Sequence, residues 1–334
     1  MNLNTPSAHL EQLEIPPRVA KYETHIWADY IELLCLANED REFSKADALD
    51  RIRERINDLG EGMEELLPSA GSFPGEENDK WAGLVDDWFM HLQYRKGAFG
   101  AFYPFSFSSA GDALIAEDPF TLGHKFYIYL LLSSNLRHVA KPIEAPLTSN
   151  FEFLSSEAMR KLLPVQAEVH LFRANSEHVS KYQGNQWNKI NTLAKDLREK
   201  VKLSEKAFSP YDTGDRGLDV VGWVPFADSA PGLPILFAQC GCTTKWVHKQ
   251  FSSSFGAWNP IMSFLCPPGN IAFIPFCFRS SEGGWHKEGI DISCTLLIDR
   301  LRLVQLLHDH LEQFEPLISC RIVEEILQQP EPLF

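Results

Sequence analysis

The sequence predicts an α/β protein in which a mostly helical N-terminal part precedes a mixed-sheet core with closing C-terminal helices. Two observations lead to this prediction. Apolar residues recur at helical spacing in the first half and again over 301–334. Between these regions, helical patterns alternate with short apolar strings rich in β-branched residues. Such an order of elements is typical of a layered α/β domain.

The helices of the first half have recognisable sequence signals. Apolar residues three or four apart predict a helix over 20–38. Ser44 and Asp47 resemble a capping box with Asp in place of Glu, and they predict a helix that runs to about Asp58. Residues 68–79 are predicted to be a loop, 81–93 and 121–135 to be helices, and the aromatic stretch 97–110 to be a short hairpin or a packed loop.

A domain boundary is predicted within 138–150. Pro142 and Pro146 lie there among few apolar residues, which is typical of an exposed linker. The chain then divides into a helical domain (1–145), a core (146–300) and C-terminal helices (301–334). Past the linker, the patterns predict strands over 167–172, 218–224, 234–239, 270–278 and 290–298, and helices over 150–162, 186–201, 246–254, 301–314 and 317–328.

Charge is distributed unevenly along the 334 residues, whose net charge is −14. Residues 1–150 hold 13 Lys+Arg against 24 Asp+Glu, whereas the remaining residues hold 18 against 21. The acidic N-terminal part is expected to bind a protein partner or to self-associate. The second part can still present a basic face, for which the lysines and arginines between 189 and 202 are candidates, although a solvated helix surface explains them equally well.

Other features narrow the class of protein. The first residues lack a basic-then-apolar leader, and the longest apolar run, 126–132, is too short to span a bilayer. A cytoplasmic protein without membrane contact is therefore expected. Seven cysteines, an odd number, disfavour a disulfide framework. The sequence contains neither a GxSxG elbow nor a phosphate-binding GxxxxGK[ST] loop.

One hairpin is predicted to bring two oxygen-bearing side chains together. The strands 218–224 and 234–239 flank a turn-rich connector, and symmetry about residue 229 places Asp219 opposite Gln239, with Cβ atoms roughly 4.5–5.5 Å apart. A divalent cation explains such a pair, because Mg²⁺ takes carboxylate, amide and backbone oxygens. Alternatively, Asp219 caps its strand and Gln239 ends in water, and a one-residue slip would separate the two side chains.

The order of these residues resembles the PD-(D/E)xK superfamily of restriction-endonuclease-like nucleases, above all its Mrr-like and bacterial defence-associated members. The resemblance covers about 150–300: Asp215, Gly217 and Asp219 run into a strand, and a hairpin leads to a strand that ends in Gln239. It implies a restriction-endonuclease-like core that binds Mg²⁺ or Mn²⁺.

The resemblance also implies the residues of the metal site. Asp219, Gln239 and the backbone carbonyl of Cys240 would hold the cation, together with Glu152 on the first core helix. Glu157, five residues further on, is the weaker candidate for that glutamate.

The catalytic lysine of the family is missing from its usual place. That lysine lies two residues beyond the acidic position, where this chain has Gly241. We expect Lys245, at the start of the next helix, to take its role, with Lys249 in reserve. A solvated helix surface explains both lysines equally well.

Two functions follow from the resemblance. The first is metal-dependent hydrolysis of DNA phosphodiester bonds by the nuclease effector of a bacterial defence system. The alternative is a catalytically inactive module of the same fold that binds nucleic acid or protein, which the missing lysine favours. An unrelated α/β protein is the third possibility.

Overall fold

The computed structural model describes residues 23–58, 74–173, 180–287 and 289–328. The α/β arrangement predicted from the sequence is confirmed: a helical N-terminal region leads into a mixed sheet, and helices close the chain. In the described part, no helix combines the length and the apolar character that crossing a membrane requires.

The described elements are labelled in chain order. The α-helices are α1 (Thr24–Ala37), α2 (Lys45–Asp58), α3 (Pro74–Phe99), α4 (Leu122–Ser134), α5 (Lys141–Leu162), α6 (Gln186–Asp196), α7 (Trp246–Lys249), α8 (Phe255–Trp258), α9 (Arg300–Leu307), α10 (Glu315–Ile318) and α11 (Arg321–Gln328). The strands are β1 (Glu42–Ser44), β2 (Phe105–Phe107), β3 (Ala113–Ala116), β4 (Glu168–Leu171), β5 (Lys200–Val201), β6 (Val220–Trp223), β7 (Ile235–Cys240), β8 (Met262–Ser263), β9 (Gly269–Phe273) and β10 (Leu296–Ile298).

Local sequence signals determine how the N-terminal helices begin. The predicted capping box is present before α2: Asp47 N donates to Ser44 Oγ at 3.1 Å, and Ser44 N donates to the Asp47 carboxylate at 2.8 Å. Helix α3 begins at Pro74, so the loop predicted over 68–79 is wrong from that residue onward, and its first six residues lie outside the described ranges. A three-stranded antiparallel sheet, ordered β1-β3-β2, completes this region. Of the stretch 97–110, β2 is the part that forms a hairpin, and its partner β3 lies beyond residue 110.

The central sheet has five strands in the order β10-β9-β7-β6-β4. Its β10, β9 and β7 strands are parallel, whereas β6 and β4 continue antiparallel. Side chains alternate between two faces. Val220 and Ala238 join a core that contains residues of α5, whereas Val221 and Phe237 join a second core with residues of α6. The sheet is therefore covered by helices on both faces.

The exposed linker predicted within 138–150 is wrong. Helix α5 runs without interruption across the expected boundary between residues 145 and 146. Pro142 lies in the first turn, where a backbone N–H has no helical partner to lose, and the helix also accommodates Pro146. Phe151 of α5 belongs to the same core as Trp27 and Ile326, so the two halves of the chain share one core.

A buried ionic network also joins the two halves. Asp29 and Glu32 of α1 both accept from Arg95 of α3, at 2.7 Å each. Arg300 of α9 donates to the other oxygen of Asp29 at 2.9 Å. All four side chains are almost completely inaccessible to solvent. Removing one partner would leave a buried charge uncompensated, so this network makes the N-terminal helices an integral part of the fold.

Several predicted elements of the second half are shorter in the structure. Helix α6 ends at Asp196, because residues 200–201 pair with β8 instead of continuing the helix. Strand β9 ends at Phe273, two residues before Pro275, which has no N–H to contribute to a ladder. Strand β10 is correspondingly limited to the three residues that face the end of β9.

Candidate functional site

The hairpin β6–β7 has the register expected from its sequence. Val220 pairs with Ala238 and Val221 with Phe237, so Asp219 and Gln239 are the next pair outward. The Asp219 Oδ2 atom accepts from Gln239 Nε2 at 2.6 Å and from the Cys240 backbone N–H at 2.7 Å. Both side chains are buried, with exposed fractions of 4% and 8%. The predicted contact between the two side chains is confirmed. The alternative, in which Gln239 ends in water, is wrong, because its side chain is buried.

The turn before β6 holds Asp219 in place. Gly217 has a φ of +75°, and a Cβ there would lie 2.4 Å from Ser252 Cβ. Only glycine fits this combination of left-handed backbone and close approach. Asp215 accepts from Gly217 N at 2.8 Å, and Ser252 Oγ lies 3.0 Å from the Gly217 carbonyl oxygen.

Gln239 presents its amide nitrogen to Asp219. Nε2 also donates to the Cys240 carbonyl at 2.9 Å, and Oε1 accepts from Ser252 Oγ at 2.8 Å. A 180° rotation of the carboxamide would turn its oxygen towards Asp219 and let Nε2 donate to Ser252 Oγ. That hydroxyl would then donate to the Lys249 carbonyl oxygen, which lies 2.6 Å away. Gln239 can therefore serve as an oxygen ligand after one side-chain rotation.

Glu152 and Arg173 form the other side of the site. Glu152, on α5, is 4% exposed, and its Oε1 forms an ion pair with Arg173. Its Oε2 is buried without a hydrogen-bond partner among the residues that the structure describes. Glu157 pairs with Arg160 on the same helix, at 3.1 Å, and remains the weaker candidate.

Arg173 was not predicted as a site residue. It follows β4, and the backbone N–H of Phe172 donates to the Asp219 carbonyl at 2.8 Å, which extends the pairing of β4 with β6. The only sequence signal was its position directly after a predicted strand. Burial lowers the pKa of Arg173, but the negative charges of Glu152, Asp219 and Asp215 raise it above its ordinary value.

The carboxylates of the site repel one another. Burial, and then the charges of Glu152 and Asp215, raise the pKa of Asp219 to about 8, although the Cys240 N–H and Arg173 oppose the shift. Burial also raises the pKa of Glu152 above its usual value, against the charge of Arg173. Carboxyl groups arranged in this way need a proton or a cation between them.

The position of the family's lysine has no room for a side chain. A Cβ on Gly241 would lie 2.7 Å from the Cβ of Trp246, a buried residue that packs over the end of β7. Lys245 caps α7 with an exposed side chain and, within the described ranges, forms no ion pair. Lys249 is also exposed. Burial, and then the charges of Glu152 and Asp219, raise the pKa of the Cys242 thiol, and the charge of Lys249 opposes this shift. Of the two lysines, Lys249 is thus the one whose charge acts on a residue beside the site.

The lysines and arginines between 189 and 202 do not form one solvated face. Lys189 is buried, and its ammonium donates to the Thr213 carbonyl in the loop that leads to Asp215. Burial lowers its pKa, and Asp215 opposes that shift. Arg198 is held by Asp228 at 2.9 Å. Of the expected basic surface, Lys189 therefore points into the fold, and Arg198 is occupied by a carboxylate at the surface.

The donor set determines which cation the site would accept. Carboxylates, a carboxamide and a backbone carbonyl are hard oxygen ligands, which suit Mg²⁺ and Mn²⁺. Among the described residues, the group of three side chains with all ligand atoms within 4.8 Å of one another is Glu23, His25 and His286, at a different place. Comparison with protein-family models, curated proteins and solved structures finds no match for this chain.

Proposed function

We propose that the chain is a divalent-metal-dependent nuclease that hydrolyses phosphodiester bonds in DNA, with Asp219 at the centre of its site. The observation that supports this proposal is the pair of buried carboxyl groups, Asp219 and Glu152, at the end of a mixed sheet. Both have raised pKa values, and one Glu152 oxygen has no hydrogen-bond partner among the described residues. An empty carboxylate oxygen beside a second buried carboxyl group is a position that a cation could occupy.

Mg²⁺ or Mn²⁺ fits the oxygen donors. Asp219, Glu152, the Gln239 carboxamide oxygen and the Cys240 carbonyl would hold the ion. Binding requires Gln239 to rotate its carboxamide, whereas Glu152 can offer the Oε2 atom that has no hydrogen-bond partner among the described residues. When bound, such an ion polarises the scissile phosphate and lowers the pKa of the attacking water.

Arg173 is the side chain that we propose for the role of the missing lysine. It is 44% exposed, so it can leave Glu152 and reach a phosphate in solvent. A guanidinium binds phosphate oxygens through two parallel hydrogen bonds and offsets negative charge in the transition state. Lys245, the candidate from sequence, and Lys249 are the alternatives to Arg173 in this role.

The proposed biological setting follows from the family resemblance. A nuclease effector of a bacterial defence system, acting in the cytoplasm, would need restraint until it is triggered. The acidic N-terminal half is the part that we propose for a protein partner or for self-association, and it shares a core with the sheet that carries Asp219. A partner that shifts those helices would therefore act directly on the packing of the site.

One observation favours the alternative, a catalytically inactive module that binds nucleic acid or protein. Gly241 cannot carry a cation, and the cation that contacts the site, Arg173, is already paired with Glu152. If that pair stays closed, the Arg173 guanidinium is not available to a phosphate. The protein would then bind its partner without cleavage.

A plasmid assay tests the proposal. The purified full chain is incubated with supercoiled plasmid and Mg²⁺ or Mn²⁺, with EDTA as the metal-free control. We expect cleavage by the wild type, none with EDTA, and none by Asp219→Ala. Asp228→Ala is the matched control, because Asp228 lies in the connector of the same hairpin with an exposed side chain.

The outcomes separate the two functions. Full activity of Asp219→Ala would refute the assignment of this site. DNA binding by an intact, metal-loaded wild type without any cleavage would favour the inactive module.

A further inference from the structure

A second cluster of ligating side chains lies outside the hairpin. Glu23, His25 and His286 each offer one ligand atom, and these atoms all lie within 4.8 Å of one another. Glu23 Oε2 is 3.0 Å from His286 Nε2 and 3.9 Å from His25 Nδ1. The three residues come from the two ends of the chain: Glu23 and His25 from the start of α1, and His286 from the loop between β9 and β10.

Buried ring nitrogens in this cluster have no hydrogen bonds. His25 is 3% exposed, and its Nδ1 has no hydrogen-bond partner within the described ranges. His286 Nε2 also lacks a hydrogen bond of regular geometry, despite its closeness to Glu23. Burial, and then the charge of His286, lower the pKa of His25 to about 3, so its ring is neutral near pH 7. A buried imidazole nitrogen without a partner is costly, and it lies here beside a carboxylate.

The loop that carries His286 is well supported. Arg279 donates to both carboxylate oxygens of Asp299, at 2.8 and 3.0 Å, and its guanidinium lies 4.0 Å from the centre of the Trp285 ring. Arg279 and Trp285 also form a β-bridge, which closes the turn directly before His286. The ring of His25 packs edge-on against the ring of Phe278, with the two ring centres 5.2 Å apart. The two imidazoles are therefore positioned by separate, ordered parts of the fold.

We propose that Glu23, His25 and His286 bind a zinc-class divalent transition-metal ion that ties the start of α1 to the turn at 279–286. Ligands bound to zinc at about 2.0–2.1 Å in a tetrahedral shell lie about 3.3 Å apart. The observed separations of 3.0 and 3.9 Å approach this value, so shifts of about 1 Å would bring the three ligand atoms to three corners of the shell, and a water would take the fourth. Two imidazoles and one carboxylate suit zinc, whereas Mg²⁺ prefers oxygen ligands throughout.

Two residues near the cluster, His91 and Lys287, bear on metal binding. His91, on α3, is buried with both ring nitrogens unpartnered in the described part of the chain, and its pKa is lowered by burial and by the charges of Arg95, His25 and His286. Lys287 pairs with the second oxygen of Glu23 and is 37% exposed. Its ammonium would repel a dication at Glu23 Oε2, so removing it should tighten metal binding. A purely structural ion pair predicts no such effect.

The test uses the full chain stripped with EDTA and dialysed against Zn²⁺. Bound zinc is counted by elemental mass spectrometry, and affinity is measured by titration. We expect one zinc ion per chain, a loss of at least about 100-fold in affinity in Glu23→Gln and in His286→Gln, and tighter binding in Lys287→Ala. His308→Gln, an exposed histidine elsewhere, is the matched control and should behave as the wild type.

Thermal unfolding gives a second readout that does not depend on activity. At a free zinc concentration 100 times the Kd, the wild type should melt about 4 °C higher than the metal-free protein, whereas Mg²⁺ should have no such effect at this site. Both glutamine variants should lose the zinc shift. Zinc retained in full by both variants would place it elsewhere, for example at cysteines, and would overturn the proposal, as would a wild type that binds none.

Discussion

Replacing Asp219 by asparagine should remove a large part of the pH dependence of stability in the metal-free protein. Asp219 has a folded-state pKa of about 8, against an ordinary value of 3.8. Between these values the folded chain holds a proton that the unfolded chain has released. The stability contributed by that proton is fully present below about pH 4 and is lost as the pH rises towards 8.

The size of the effect follows from the same pKa. Stability falls by about 1.4 kcal/mol for each pH unit over which the two states differ by one proton. Because the Asp219 proton is already half dissociated at pH 8, the wild type should lose about 2 kcal/mol through Asp219 between pH 6 and pH 8. Asparagine keeps an oxygen that can accept from the Cys240 N–H and has no charge to desolvate, so Asp219→Asn should not show this loss.

Urea unfolding in EDTA at pH 6, 7, 8 and 9 measures the difference between the two proteins. Other titrating groups cancel in that difference, and Asp228→Asn, an exposed position on the same hairpin, should follow the wild type. Parallel pH curves for the wild type and Asp219→Asn would refute the reasoning, because they would mean that Asp219 is ionised in the folded protein at neutral pH without penalty.

Three further substitutions test other parts of the structure. Arg300→Met should lower the free energy of unfolding by about 3–5 kcal/mol, measured by urea denaturation, because it leaves the two buried carboxylates of Asp29 and Glu32 with Arg95 as their one arginine; a loss below about 1 kcal/mol would contradict the buried network. Gly217→Ala should lower the free energy of unfolding by more than about 2 kcal/mol and should weaken Mn²⁺ binding. Gly100→Ala should lower it by about 1 kcal/mol, since Gly100 also has a positive φ but has open space around it. Equal losses in the two variants would argue against the contact with Ser252. Arg173→Gln should reduce plasmid cleavage by at least about 100-fold, and by more than Lys245→Ala; the reverse order would return the catalytic cation to the residue expected from sequence.

The register of the β6–β7 hairpin could be predicted because its determinants are local. Continuous apolar runs define the two strands, and a connector rich in turn residues sets the pairing of Asp219 with Gln239. The capping box before α2 was predictable for the same reason. In both cases the decisive residues lie within about twenty positions of one another.

The linker was predicted wrongly because proline is an ambiguous signal. Pro142 does not interrupt a helix. It lies in the first turn of α5, where its missing N–H costs little stability. Whether a proline precedes a helix or interrupts one depends on what the following residues pack against. Phe151 and its neighbours pack into a core built largely from the N-terminal helices, and no local pattern reveals that contact.

The cation beside the site could not be found for a related reason. Arg173 and Asp219 are far apart in sequence and meet because β4 pairs with β6. The residues that follow Gln239 in the sequence indicated Lys245 as the cation, whereas the structure places Arg173 beside the site. The packing of Trp246 against Gly241, which excludes a side chain at the family's lysine position, is a tertiary contact. The same holds for His25 and His286, which no spacing pattern connects.

Binding of Mn²⁺ to the full chain tests the central claim most directly. Equilibrium dialysis of the Glu23→Gln protein, in which the second proposed site is disabled, isolates the site at Asp219. In that background we expect one Mn²⁺ per chain, binding that becomes tighter from pH 6 to pH 8 as the Asp219 proton is lost, and loss of the ion on adding Asp219→Ala but not Asp228→Ala. Mn²⁺ bound equally well with and without Asp219 would contradict the account.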